Sequence, residues 1–148
     1  MNTEVRRILI VDDSPNDVLL AIKTLKKNNL ANEIDVAKDG EEALDYLYKR
    51  GKYDGRENVN PAVIVMDIKM PKVNGIEVLK DIRSNPEFKL IPVIMLTSSG
   101  KQKDLVESYK LGANAYVVKP VDIAQFMEAI KVLGQFWAVI NQPPPVII

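Results

Sequence analysis

Five short apolar runs alternate along the chain with longer stretches whose apolar residues recur every three or four positions. The first run is residues 8–11, after which Ser14-Pro15 offers an N-cap followed by proline at the first helical position. Val18, Ile22 and Leu25 share one face of the stretch that follows, so the chain passes from strand to helix. Asn28-Asn29 ends that helix, and residues 34–37 read as a second strand. Asp39-Gly40-Glu41-Glu42 then opens a helix carrying Ala43, Leu44 and Leu47, which Gly51 is expected to stop. Residues 52–60 read as the one long loop. A third strand is expected at 62–66, and the helix after Asn74-Gly75 carries Ile76, Val78, Leu79 and Ile82 before Asn85-Pro86. Residues 92–96 form a fourth strand, followed by a polar helix with Leu105, Val106 and Tyr109 that ends at Leu111-Gly112. The fifth strand is 116–118, within an apolar run that begins at Ala115. A last helix is expected from Asp122 to about residue 140, with Phe126, Ile130, Leu133, Trp137 and Ile140 on one stripe, before Pro143-Pro144-Pro145 blocks further helix.

Strands that are apolar throughout, rather than at alternate positions, belong to a parallel sheet covered by helices on both faces. Such sheets bind ligands outside the carboxyl ends of their strands, where the strand order reverses. The polar residues at those ends are Asp12-Asp13 after the first run, Asp67 after the third, Thr97 after the fourth and Lys119-Pro120 after the fifth.

Composition narrows the chemistry. The 148 residues, 47% of them hydrophobic, suffice for one domain with a real core. Twenty basic and twenty acidic side chains leave no net charge, so there is no electrostatic case for nucleic acid. Lys26-Lys27 and Lys49-Arg50 read as solvated helix ends. Without cysteine or histidine the chain has no disulfide, thiolate nucleophile, Ser-His-Asp triad or imidazole metal ligand, and any metal must be held by oxygen. The apolar runs fall far short of the roughly 20 residues a membrane helix needs, and the first residues are not a signal peptide. A soluble, cytoplasmic protein is expected.

Each strand-end group taken alone has an ordinary explanation. Asp12-Asp13 could be helix-capping acids, Asp67 a loop acid, Thr97-Ser98-Ser99-Gly100 an N-cap and Lys119 a surface lysine. Their joint occurrence at four strand ends calls for another. Three carboxylates cannot all stay ionised in a small space unless a cation lies among them. Magnesium suits, because it takes octahedral oxygen ligands, keeps several waters and completes its shell with a phosphate. Lys119 adds a charge and Thr97 a hydroxyl donor for phosphoryl oxygens. Asp67, the solitary acid, is then the candidate nucleophile, and a carboxylate that attacks phosphorus forms a labile acyl phosphate.

Ile8-Leu9-Ile10-Val11-Asp12-Asp13, Val65-Met66-Asp67-Ile68-Lys69-Met70-Pro71 with Asn74-Gly75, Met95-Leu96-Thr97-Ser98 and Val118-Lys119-Pro120 resemble, in order, the motifs of the two-component response regulator receiver domain. The spacings of thirty residues from Asp67 to Thr97 and twenty-two from Thr97 to Lys119 match as well. The resemblance implies an α/β fold with a five-stranded parallel sheet in a (βα)5 flavodoxin-like doubly wound arrangement, strand order 2-1-3-4-5. It implies one receiver domain over residues 5–140 and a short proline-rich tail at 141–148, with no output domain. Asp67 is the implied phosphoacceptor, and Mg2+ (or Mn2+) would be held by Asp12, Asp13, Asp67 and the backbone carbonyl of Lys69. Thr97 and Tyr116 are the implied switch pair, Lys119 the phosphate-pairing amine, Ser98 a small residue that leaves phosphate room, and Pro120 follows an expected cis peptide.

The implied function is a phosphorylation-controlled signalling module rather than an enzyme. With no histidine of its own, the chain must draw phosphate from a partner sensor histidine kinase. The long last helix with Val132, Phe136 and Val139, Tyr46-Leu47-Tyr48, the loop after Gly51 and the tail look like the regulators that pair with bacteriophytochromes, and suggest a homodimer through the last helix and its neighbouring strand. Two other readings compete. A flavodoxin-like cofactor protein could hold FMN on the same strand order, but no phosphate-cradling glycine loop is present and Asp12-Asp13 would repel the phosphate. A magnesium phosphatase using Asp67 would need substrate-specific residues or a cap, and the loops here are short.

Overall fold

The computed structural model describes residues 7–27, 33–56, 60–97, 102–118 and 124. Five strands, β1 (Arg7–Val11), β2 (Glu33–Ala37), β3 (Val63–Met66), β4 (Val93–Thr97) and β5 (Ala115–Val118), alternate with the helices α1 (Pro15–Lys27), α2 (Gly40–Tyr48), α3 (Gly75–Ser84) and α4 (Gln102–Lys110). Every strand pair is parallel and the sheet order is β2-β1-β3-β4-β5, as expected.

β1 shows why the central strands are apolar, whereas the edge strand β2 carries Glu33 and Asp35. Successive side chains point to opposite faces of a strand. Leu9 and Val11 enter one core with Ala43 and Leu47 of α2 and Val78, Leu79 and Ile82 of α3. Ile8 and Ile10 enter the other, with Ala21 and Leu25 of α1. Both layers exclude water, and each fully buried aliphatic side chain contributes roughly 1.5–3 kcal/mol. β3 is the clearest case, since all four of its residues are buried.

Local chemistry starts the helices where the pattern places them. The side chain of Asp39 accepts the Glu42 N–H at 2.7 Å, and that of Asn74 accepts the Glu77 N–H at 3.0 Å, so each caps its helix. The end of α2 differs from expectation. Tyr48 is its last residue, and Lys49, not a glycine, adopts the left-handed conformation (φ 56°, ψ 48°), its N–H directed at the carbonyls of Asp45 and Tyr46. Gly51 instead opens a 3-10 turn, Gly51–Tyr53, so the segment expected as plain loop is in part ordered. It folds back along α2: the Tyr53 hydroxyl donates to Glu42 Oε1 at 2.7 Å, and the Arg56 guanidinium lies 3.9 Å from the centre of the Tyr46 ring.

The expected last helix lies outside the described residues except for Ala124, which is helical, and residues 141–148 lie outside them as well. Among the described residues no helix is long and apolar enough to cross a membrane.

Candidate metal and phosphoacceptor site

β1 and β3 are neighbours with Val11 opposite Met66, so the next residues, Asp12 and Asp67, leave the sheet side by side. This is the point where the strand order reverses. Backbone pairing continues past both strands and fixes the two acids: the Asp67 N–H donates to the Val11 carbonyl at 2.8 Å, and the Asp12 N–H to the Ala37 carbonyl at 3.0 Å. The Ser14 N–H donates to Asp12 Oδ1 at 2.9 Å, which orients that carboxylate at the start of α1.

Oxygens from Asp12, Asp13 and Asp67 lie within 4.8 Å of one another. Asp12 and Asp67 are only 4% and 5% exposed, whereas Asp13 faces solvent. Three carboxylates at this separation, two of them buried, repel strongly unless a cation lies among them. An all-oxygen donor set with one solvent-facing member fits Mg2+ or Mn2+, hard ions that retain water and leave room for a phosphoryl oxygen.

The loop from Ile68 to Asn74 joins Asp67 to the start of α3. It is closed at its base by the Gly75 N–H donating to the Ile68 carbonyl at 2.8 Å. Gly75 is required there, because a Cβ would stand 2.2 Å from the Asp67 carbonyl oxygen. Lys69 is exposed on this loop.

The remaining candidates divide. Thr97 ends β4 in register with Val118 of β5, so its backbone lies at the carboxyl edge of the sheet. Tyr116 pairs with Met95 and is partly buried against the core under α2 and α3. Ser98, Lys119 and Pro120 lie outside the described residues. The fold therefore brings Asp12, Asp13 and Asp67 together and places Thr97 and Tyr116 on the two strands beyond Asp67.

Some neighbours of the site escaped the sequence reading. Asp39-Gly40 was legible only as a helix start, yet Gly40 lies against the Val73 carbonyl, and the Lys72 ammonium is 3.9 Å from Asp39 Oδ2. A glycine directly after an N-cap, where almost any residue favours helix more, was the available signal of a close backbone approach.

Comparison with known proteins agrees with this geometry. Residues 8–131 match the response regulator receiver domain family. The response regulator Rcp1 of Synechocystis sp. (strain ATCC 27184 / PCC 6803 / Kazusa) is 34% identical over 130 residues, covering 88% of this chain and 87% of Rcp1. A crystal structure of Rcp1 in its Mn(2+)-bound form superimposes with a TM-score of 0.76 at 33% identity, over 89% of this chain and 94% of that one. The bacteriophytochrome response regulator RtBRR is 52% identical, with a TM-score of 0.82 over 95% of this chain and 85% of its own. The phosphorylated cyanobacterial phytochrome response regulator RcpA is 33% identical, with a TM-score of 0.77 over 90% and 94% of the two chains. Fold, acidic cluster and relatives concur: the chain belongs to the response regulator receiver domain family.

Proposed function

We propose that Asp67 is the aspartate on which this receiver domain takes its phosphoryl group, with a sensor histidine kinase of the bacteriophytochrome type as donor. The observation that supports this most directly is the convergence of Asp12, Asp13 and Asp67 at the strand-order reversal. In this reading Asp13 and Asp67 hold Mg2+ directly, Asp12 directly or through water, and the Lys69 carbonyl completes the protein's ligands. Bound there, the ion supplies positive charge between the carboxylates and an incoming phosphoryl group.

The chain's own groups do the rest. An Asp67 oxygen bonds to phosphorus as the bond from phosphorus to the kinase's histidine nitrogen breaks, the nitrogen keeping the electron pair. The product is an acyl phosphate on Asp67. Lys119 pairs with one phosphoryl oxygen and Thr97 donates to another, while Ser98 leaves room for the group. Movement of Thr97 toward the phosphate frees space for Tyr116, and the surface at the ends of β4 and β5 changes. The peptide bond before Pro120 is cis in this reading. The receiver domain occupies residues 5–140, acts in the cytoplasm by protein contact rather than by substrate turnover, and forms a homodimer through the last helix and its neighbouring strand.

Intact-mass spectrometry tests the assignment. Incubation with acetyl phosphate and Mg2+ should add one phosphate, and Asp67→Asn should abolish the addition. Labelling that persists in Asp67→Asn, or steady hydrolysis of unrelated phosphate monoesters, would overturn the reading.

A further inference from the structure

We infer that Gly40 and Lys72 are positioning residues for the cation and phosphoacceptor site, acting by clasping the loop between Asp67 and α3 against the first turn of α2. The inference rests on the reading of Asp67 and the Lys69 carbonyl given above. Two contacts carry it. A Cβ on Gly40 would stand 2.0 Å from the Val73 carbonyl oxygen and 2.8 Å from its carbon, so the loop backbone is seated directly on the start of α2. On the outer side, the Lys72 ammonium lies 3.7 Å from Glu41 Oε2 and 3.9 Å from Asp39 Oδ2. Asp39 is itself immobilised as the cap of α2, its side chain only 8% exposed.

The backbone of Lys72 is left-handed, with φ 67°. A residue with a Cβ keeps that conformation only where its surroundings impose it. The surroundings here are the two contacts with α2 on one flank and the Gly75 to Ile68 hydrogen bond on the other. α2 thus acts as a backstop: Gly40 limits how far the loop can sink, and the ammonium opposes its drift outward. The Lys69 carbonyl, three residues before Lys72, takes its place relative to Asp67 from this arrangement.

Calorimetric Mg2+ titration of the full, unphosphorylated chain tests this, with thermal unfolding of each variant alongside. In Gly40→Ala, helix propensity alone would stabilise the protein. The clasp predicts instead that the Mg2+ dissociation constant rises about tenfold or more, the range typical for groups that orient metal ligands. In Lys72→Met, Coulomb's law alone would tighten Mg2+ by removing a cation beside an acidic cluster. The clasp predicts the opposite sign, about two- to fivefold weaker binding, modest because Lys72 is largely exposed. Lys72→Arg should return the constant to within about twofold of the parent. If Gly40→Ala fails to fold, the Lys72→Met and Lys72→Arg pair decides. Unchanged or tighter Mg2+ binding in Lys72→Met overturns the inference, as does an unchanged constant in folded Gly40→Ala. A failure of the Asp67 assignment would appear separately, as labelling that survives Asp67→Asn.

Discussion

The guanidinium of Arg83 donates twice to the carbonyl oxygen of Gly112, from Nε at 3.1 Å and Nη2 at 2.8 Å. It also reaches the carbonyls of Lys89 and Ile91 and the side chain of Asn114, joining the end of α3 to the turns that lead into β4 and β5. Burial pulls Arg83 below the usual guanidinium range, yet it remains charged. A lysine cannot satisfy this fan of acceptors, so Arg83→Lys should lower stability by about 1–3 kcal/mol in urea denaturation. Gly112→Ala should cost about as much. Its φ of 90° suits only glycine, and the added Cβ would stand 2.9 Å from Arg83 Nε.

Acid stability should depend on Glu42. Burial alone would raise its carboxyl, but the Lys52 ammonium, the Lys38 N–H and the Tyr53 hydroxyl outweigh that and hold it at about 2. A carboxylate lowered in the folded state contributes fully above its ordinary value of 4.5, and the contribution disappears as pH falls from there toward about 2. Glu42→Gln should flatten the stability profile in that window, read by denaturant unfolding at stepped pH.

Alkaline stability should depend on Tyr46 with the opposite sense. Burial, then the hydrogen bond to Asp35, pushes the phenol up to about 12. Its contribution is complete below the ordinary value of 10 and is lost as pH rises through about 12. Tyr46→Phe should remove that slope, and an unchanged slope would assign the alkaline transition to other groups.

The α1 layer offers a plain packing test. Leu25 is fully buried against the sheet, so Leu25→Ala should lose about 2–5 kcal/mol through transfer and cavity terms. Mg2+ binding by whatever fraction remains folded should be unaltered, because no group near Asp67 changes.

At the end of α2, Lys49→Gly should stabilise the chain by about 0.5–1 kcal/mol, relieving the left-handed backbone of a residue that carries a Cβ. A fall in the thermal midpoint would instead show that the lysine side chain holds the helix end.

β1, β3 and β4 were legible because both of their faces are buried, which writes unbroken apolar runs, and β2 less plainly because its edge position leaves Glu33 and Val36 exposed. The acids of the site were legible because Asp12-Asp13 and Asp67 follow such runs. Asn74 and Asp39 could be recognised as caps because capping is local chemistry. The stop of α2 was misplaced to Gly51 for the complementary reason. Glycine signals that a left-handed turn is easy, and nothing in the residues themselves says that Lys49 will accept one two positions earlier. The Arg83 network was invisible since three of its four partner groups are backbone carbonyls, present at every position and brought together only by the fold. The contacts of Gly40 and Lys72 are likewise set by how α2 docks, with the glycine directly after the N-cap Asp39 as their one local trace.

Val11 opposite Met66 has one last implication. A misthreaded sheet in which β3 slid by a single residue along β1 would carry residue 67 roughly 3.3 Å away and turn it toward the wrong layer. The same slip would drive Val65 and Met66 out of their own layers, so such a conformer is discarded by oil-like forces before any ion could sample it. Loyalty of the acidic trio to one another is thus enforced by greasy neighbours that never touch the ligand.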